Sequence, residues 1–453
     1  MFSEKQYYMY MVEILQVIQY VQTATFNLMF HYWWLFLFIG LIFATPALWL
    51  SYAQAYYKKN NVYILIELHV PREVKRSPRA MEQVFTAIYG VKNNWANFEE
   101  KWWQGEVPLW FSCEVVSFGG EIHFYMHIPK KHRNMVEAAL YSHYPDIEIT
   151  EAEDYITRLP PTMRELDARG YNIFGNELIL DRTKGSAFPI RTYEDFEEQV
   201  EEKQLDPVAD ILETLVKIKP QEHLWVQIII RPLVDASLVA WKKEGDETIK
   251  EMKEKVGRRP VQTAFGEMVM IDRSPGELEI MKAVDRKFER PAFQTIIRYL
   301  YISPKELFNS NFGQRGVFTA FNQYMSQSLN EFKHNVKAWT RSSFWYWPYF
   351  FPQRRSFARK EHIYVNYRGR RMYGETTTSA LFDIKFFHFG FAARTWGQMV
   401  LNTTELATIY HIPTFAVLTG PLVRRVEARK VGPPAGLAIY GKEGEEKKLP
   451  GMK

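Results

Sequence analysis

The sequence predicts an α+β protein: an N-terminal transmembrane helix, then two ferredoxin-like (βαββαβ) domains, then a mixed C-terminal region. Three observations predict it. Residues 33–53, WWLFLFIGLIFATPALWLSYA, carry no charged side chain. Residues 62–151 show strand and helix patterns in the order βαββαβ. A similar succession runs over 177–302. The expected organisation is an apolar N-terminal segment (1–30), the transmembrane helix (31–57), a first domain (60–156), a second domain with a helical insertion (172–302), a basic and aromatic C-terminal region (303–428) and a disordered tail (429–453).

A bilayer core about 30 Å thick needs roughly 20 apolar residues at helical rise, and a helix satisfies its own backbone groups where lipid cannot. Residues 33–53 meet both demands. Buried core helices, the alternative, are usually shorter. Trp33 and Trp34 at one end, and Trp49, Tyr56, Tyr57, Lys58 and Lys59 toward the other, suit the two interfaces. Pro46 lies inside the run, where a kink is expected. The run starts late and has no basic segment before it, unlike a cleaved signal peptide. Glu4, Lys5 and Glu13 precede it; Lys58, Lys59, Arg72, Lys75, Arg76 and Arg79 follow. Basic flanks stay on the cytoplasmic side, so the bulk of the chain is expected in the cytoplasm. The one cysteine, Cys113, agrees with a reducing compartment. Residues 11–30 fit either a surface helix or an extension of the span.

In the first domain, residues 62–69 read as a strand by their apolar and β-branched content. Ser77-Pro78 opens a helix, with Met81, Val84, Phe85, Ile88 and Tyr89 on one face and Gly90 as a left-handed stop. Residues 109–118 and 121–128 are strands joined by Gly119-Gly120, a hairpin signal. A helix over 130–144 and a short strand over 147–151 complete the unit. In the second domain, strands are expected at 177–181, 223–231, 264–271 and 292–302. Helices are expected from Asp206-Pro207 and, by the capping box Ser274–Glu277, over 274–288. A charged helix over 236–255 is the insertion. Val317, Ala320, Phe321, Tyr324 and Met325 mark a further helix face, and 402–410 a last short helix.

The sequence offers no catalytic, cofactor-binding or metal-ligating candidates. No GxxxxGK[ST] run is present, which argues against a P-loop ATPase. His123 and His127 share a strand face but lie about 13 Å apart, too far to hold one zinc. There is no GxSxG elbow, and Cys113 reads as a small packing residue. The acids Asp146, Glu148, Glu151, Glu153 and Asp154 read as a solvated edge.

The positive signal is 333–371, with ten Lys/Arg against one acid, Glu361. Its net charge of +9 exceeds the +5 of the whole chain, so the remainder is acidic. Arg341, Arg354, Arg355, Arg359, Lys360, Arg368, Arg370 and Arg371, with Trp345 and Trp347, are the candidate contact residues. They suit nucleic acid, with rings stacking on bases, anionic lipid headgroups, or an acidic protein partner. A basic surface loop whose rings fill a local core is the remaining alternative.

Three stretches carry a resemblance: VPREVKRSPRAMEQVFTAIYG (70–90), PLWFSCEVVSFGGEIHFYMHIPKKHRNMVEAALYSHYPDIEI (108–149) and LNTTELATIYHIPT (401–414). Together they resemble an uncharacterised family of bacterial single-pass membrane proteins associated with type IV secretion or conjugation-type ATPases, over residues 60–430. The last stretch is also similar to a segment outside the nucleotide site of conjugative coupling-type ATPases of the HerA/FtsK-like class, with Thr404 where Glu is expected. The resemblance implies a non-enzymatic scaffold subunit at the bacterial inner membrane, docking a separate ATPase. Asn402, Glu405, Leu406, Tyr410, His411 and Pro413 would form a partner element. DNA and a second copy of the chain are further candidate partners, and a membrane-tethered nucleic-acid adaptor is the alternative function.

Overall fold

The structure, a computed structural model, describes residues 4–71, 76–92, 97–196, 205–254, 258–263, 266–271, 274–336, 338–341, 351–372, 399–414 and 425–426. Trp345, Trp347 and the expected tail at 429–453 lie outside the described residues. The chain divides into two compact units, one holding 1–61 and 93–108, the other holding 62–92, 109–371 and the C-terminal elements.

In the first unit, α1 runs from Glu4 to Asn60, 57 residues, as two helices joined at a kink, so residues 11–30 lie in the helix before the kink and the apolar run of 33–53 after it. Its backbone leaves helical geometry at Tyr32 (φ −116°, ψ 18°), whereas Pro46 sits inside the helix. Phe30–Asn60 is long and apolar enough to cross a membrane, with mean hydropathy 1.9 and none of its most apolar window buried.

In the second unit, β1 (Tyr63–Pro71), α2 (Arg79–Gly90), β2 (Phe111–Phe118), β3 (Glu121–Pro129), α3 (Arg133–His143) and β4 (Glu148–Ala152) follow in chain order. Then come α4 (Met163–Ala168), β5 (Tyr171–Leu180), α5 (Ala209–Val216), β6 (His223–Pro232), α6 (Asp235–Glu254), β7 (Arg258–Thr263) and β8 (Gly266–Ile271). The last elements are α7 (Pro275–Glu289), β9 (Ala292–Pro304), α8 (Val317–Phe321), β10 (Phe332–His334), α9 (Pro352–Arg368), β11 (Met399–Asn402), α10 (Thr403–Ile409) and β12 (Arg425–Val426).

All the described strands except β7 and β8 join one sheet, in the order β10-β5-β9-β6-β2-β3-β1, with β4 on the outer side of β1. These strands pair antiparallel; the short β12 pairs parallel with β1. The two expected domains are thus hydrogen-bonded into one sheet, through β2 and β6, from Phe111 opposite Ile230 to Phe118 opposite His223. Two strands are continued end to end. β11 lies beside β9 at 292–295 and β5 beside it from 297 onward. Likewise β4 lies beside β1 at 65–69 and β12 at 70–71.

Residues 264–271, expected as the third strand of the second domain, are not in this sheet. Gly266–Ile271 pairs with Arg258–Thr263 in a separate hairpin, inside an insertion that also holds α6 and α7. The third-strand position belongs to β9, with β10 outside β5. The reason is visible in AFQTIIRYLYISP: β9 is buried on nearly every residue of both faces, and such a run fits only a central strand. The predicted stop at Gly90 also differs. Gly90 stays within α2, and Val91 and Lys92 close it by donating to the carbonyls of Ile88 and Tyr89. The capping box at Ser274 and Glu277 forms as expected, and Gly119 and Gly120 take the positive φ (60° and 98°) of the β2–β3 turn.

The sheet has two apolar faces. Ile66, Phe85, Cys113, Phe124, Ile228, Phe293, Tyr299 and Leu406 belong to the larger core, with α2, α3, α5, α8 and α10 over it. Tyr125, Tyr155, Ile173, Trp225, Leu300, Ile363 and Tyr367 form the second, under α4 and α9.

The stretch expected to meet a partner is interior. Asn402, Glu405, Leu406, Tyr410, His411 and Pro413 are all buried. Leu406, Tyr410 and their neighbours fill the larger core, and the polar groups bond within the chain. Asn402 and Glu405 cap α10 reciprocally. Glu405 also accepts from the Ile190 amide (2.9 Å) and pairs with Lys287 (3.0 Å), both side chains fully buried. His411 Nε2 lies 2.8 Å from Asp206 and its Nδ1 2.7 Å from the Ala407 carbonyl. The polar and apolar residues that look like a docking motif are a clamp fastening the C-terminal segment to the body. Removing one partner of a buried ion pair costs about 3–5 kcal/mol. Glu405→Ala is therefore expected to lower the melting temperature of the detergent-solubilised protein sharply, far more than Glu213→Ala in the exposed face of α5.

Candidate functional site

Four adjacent central strands each contribute one polar side chain to a single buried row: Glu177 on β5, Arg298 on β9, Gln227 on β6 and Glu114 on β2. Register sets them side by side, Glu177 opposite Arg298, Arg298 opposite Gln227, Gln227 opposite Glu114. All four are 0–1 % exposed. Within the row, Arg298 Nε donates to Glu177 (2.6 Å) and Gln227 Nε2 to Glu114 (3.0 Å).

The end of α9 meets most of the remaining valences from above, with Gln227 Oε1 left without a partner among the described residues. The carbonyl of Tyr367 accepts from Gln227 (3.2 Å), and the carbonyls of Asn366 and Arg371 accept from Arg298. Arg370 grips Glu114 with two bonds (2.7 and 3.0 Å) and Asp154 with two more (2.7 and 3.1 Å). To do so it takes a left-handed backbone (φ 46°), which costs about 1–2 kcal/mol in a residue with a Cβ. Glu114 also accepts from Ser112 (2.6 Å) and from Tyr155 (2.8 Å). Burial alone would raise its pKa, but Arg370 overrides this and holds it below the usual range. A carboxylate with this many donors is a fixed counter-charge rather than a proton carrier. Asp154, expected on a solvated edge, belongs to this cluster.

The row fixes α9, which carries five of the ten cations of the basic stretch, Arg354, Arg355, Arg359, Lys360 and Arg368. Lys360, Ile363, Tyr364 and Tyr367 line its sheet side at helical spacing. Gly175 on β5 lets the helix approach: a Cβ there would fall 2.6 Å from Leu300 Cδ2 and 3.1 Å from Ile363. The candidate cations then divide. Arg370 is buried in its ion pairs, and Arg368 donates to the carbonyls of Ile156 (2.7 Å) and Leu159 (3.1 Å). These two serve the fold. Arg354 is exposed and lies over the Phe351 ring, Arg355 and Arg359 are half-exposed, and Arg371 is exposed. Glu361, the lone acid, is occupied by the Met163 amide (3.0 Å).

Beneath the start of α9 lies a cavity of about 590 Å³, lined by Asn309, Ser310, Asn311, Gln314, Thr340 and Ser356, with Arg341 and Lys360 supplying charge. No acid is among its lining residues. Lys360 donates to Asn172 (2.6 Å), and burial lowers its pKa. Arg341 donates to Gln314 (3.2 Å), and its carbonyl accepts from Arg359 (3.0 Å). Two cations among amides and hydroxyls suit an anionic oxygen group, such as a phosphate or a partner's carboxylate. Arg341 and Lys360 stand out in the sequence, but the neutral lining does not, because it comes from separated segments at 173–174, 308–314, 340 and 356.

Among the described residues no cluster of His, Cys, Asp and Glu could hold a metal. His123 is bonded to Glu67 (2.7 Å), and His127 stacks on Tyr63 (4.9 Å between centroids). Cys113 is buried, which pushes its thiol pKa up.

His127 gives the second core a pH dependence. Burial, then the Arg370 charge, lowers its pKa from 6.5 to about 4. The folded state therefore binds this proton less readily than the unfolded chain. Stability from this group is complete above pH 6.5 and is lost as the pH falls toward 4. Urea midpoints are expected to drop across that window, and His127→Gln to flatten the drop.

A protein-family model described as "Domain of unknown function (DUF8128)" matches residues 54–342, well over half of the 453. The match takes in the end of α1, strands β1 to β10 and the cavity's Arg341. No curated protein matches the chain.

Proposed function

The chain belongs to that family of unknown function, and from this premise we propose a membrane-anchored, non-enzymatic docking subunit. Its anchor is α1, and its partner surface is the outer side of α9 with the cavity beneath it. The observation that carries the reading is the unburied apolar helix Phe30–Asn60 on a chain with a separate, well-packed body. Basic flanks at Lys58 and Lys59 support a cytoplasmic body at a bacterial inner membrane. The order β4-β1-β3-β2, with the βαββαβ succession, supports reading the first half as ferredoxin-like; β10-β5-β9-β6 supports a second such half with an insertion.

The resemblance of 70–90, 108–149 and 401–414 to companions of type IV secretion or conjugation-type ATPases supports a separate ATPase as the partner. Since 401–414 is interior, the docking role passes to Arg354, Arg355, Arg359 and Arg371, whose charge suits an acidic surface. The tagged protein is expected in the membrane fraction, and in gentle detergent it should bring down a hexameric-type ATPase. Recovery in the soluble fraction, or purification without such a companion, would count against the proposal.

A second reading rests on the same cations and the cavity: a membrane-tethered adaptor for nucleic acid. Each phosphate contact lowers the slope of log K against log salt by about 0.7 for a single strand. The combined Arg354→Ala, Arg355→Ala and Arg359→Ala variant should then flatten the slope by roughly 2. Binding that is absent, or indifferent to salt, eliminates this reading.

A further inference from the structure

We propose that residues 97–105 are a second membrane contact, lying in the headgroup layer beside α1; this rests on the membrane-anchor reading above. The segment belongs to the same compact unit as α1. It contains a π-helical turn, Glu100–Gln104, ended by Gly105 in the left-handed conformation (φ 65°). A Cβ on Gly105 would fall 2.3 Å from the Ala53 carbonyl carbon. Glycine is thus required twice, for its φ and for close approach to the helix backbone. Trp49 Nε1 donates to the Trp102 carbonyl (2.7 Å), and the Trp49 and Trp103 rings meet edge to face (5.9 Å). The turn is therefore held on α1 at a defined height.

The aromatic rings it adds remain exposed. Phe98 is 70 % and Trp103 68 % exposed, beside Trp49, Tyr52 and Tyr56 at 44, 61 and 58 %. In water, five large rings gathered around one helix end are a costly surface, and single-span anchors place such rings in the headgroup layer. Spacing along α1 fits that layer. From Trp33 to Tyr52 is 19 residues, about 28 Å of helix, close to the roughly 30 Å of a bilayer core. Trp33 and Trp34 then mark one interface. Trp49, Tyr52, Tyr56, Lys58 and Lys59 mark the other, and the turn packs against that second belt. The occupant of this apolar surface is lipid, because it is continuous with the unburied apolar window of α1.

The test uses the full chain in nanodiscs of phosphatidylcholine and phosphatidylglycerol, in a Cys113→Ser background. A fluorescent probe is placed at Asn97→Cys, Gln104→Cys or, as a control, Leu41→Cys. Nitroxide lipids labelled near the headgroup or near the chain end serve as quenchers. The probes at 97 and 104 are expected to lose most of their emission to the shallow quencher and little to the deep one, with the reverse at 41. Adding Phe98→Asp and Trp103→Asp should abolish the shallow quenching while leaving position 41 unchanged. Quenching at 41 with none at 97 or 104 overturns this inference and leaves the anchor standing. Loss of quenching at all three positions overturns the anchor as well.

Discussion

The fold depends on a row of polar side chains that cannot be left open. Glu177, Arg298, Gln227 and Glu114 cross four central strands beneath complete burial. An unpaired charge there would cost several kcal/mol, and the row cannot satisfy itself. Arg298 and Gln227 need carbonyls, and Glu114 needs a cation. The segment 366–371 supplies all three, so the end of α9 must dock for the sheet to be stable. The left-handed backbone at Arg370 is the local cost of that arrangement, offset by four bonds to two carboxylates.

The same demand holds α9 on the sheet although the helix carries five cations against one acid, Glu361. The cations of 333–371 fall into two groups. Arg368 and Arg370 hold the helix down. Arg354 is exposed, Arg355 and Arg359 are half-exposed, and Arg341 and Lys360 line the cavity. Under the proposed docking role, folding and function would share one helix, and a variant of Arg370 would report on stability first.

Joining two halves at β2 and β6 also removes two sheet edges that would otherwise template aggregation. The step left where β5 ends along β9 is filled by β11, and α10 then seals the larger core. This is why 399–412 is interior although it reads as a polar, motif-rich segment. Of its polar groups, Glu405 meets Lys287 and the Ile190 amide, and His411 meets Asp206, residues 118 to 215 positions away in the chain. A sequence shows the residue types but not these long-range partners.

The features legible in the chain alone are local: the apolar run of α1, the capping box at Ser274, the Gly119-Gly120 turn, and the buried face of α2. Each depends on neighbours within a few positions. The row of Glu114, Gln227, Arg298 and Glu177 was not legible, because each sits in a different strand and only the pairing brings them together. Tertiary structure alone decided that the two halves share one sheet, that 292–304 rather than 264–271 is the third strand, and which arginines remain outside. Strand order and charge pairing are set by contacts far apart in the chain. Their energy belongs to register and burial, which no window of sequence contains.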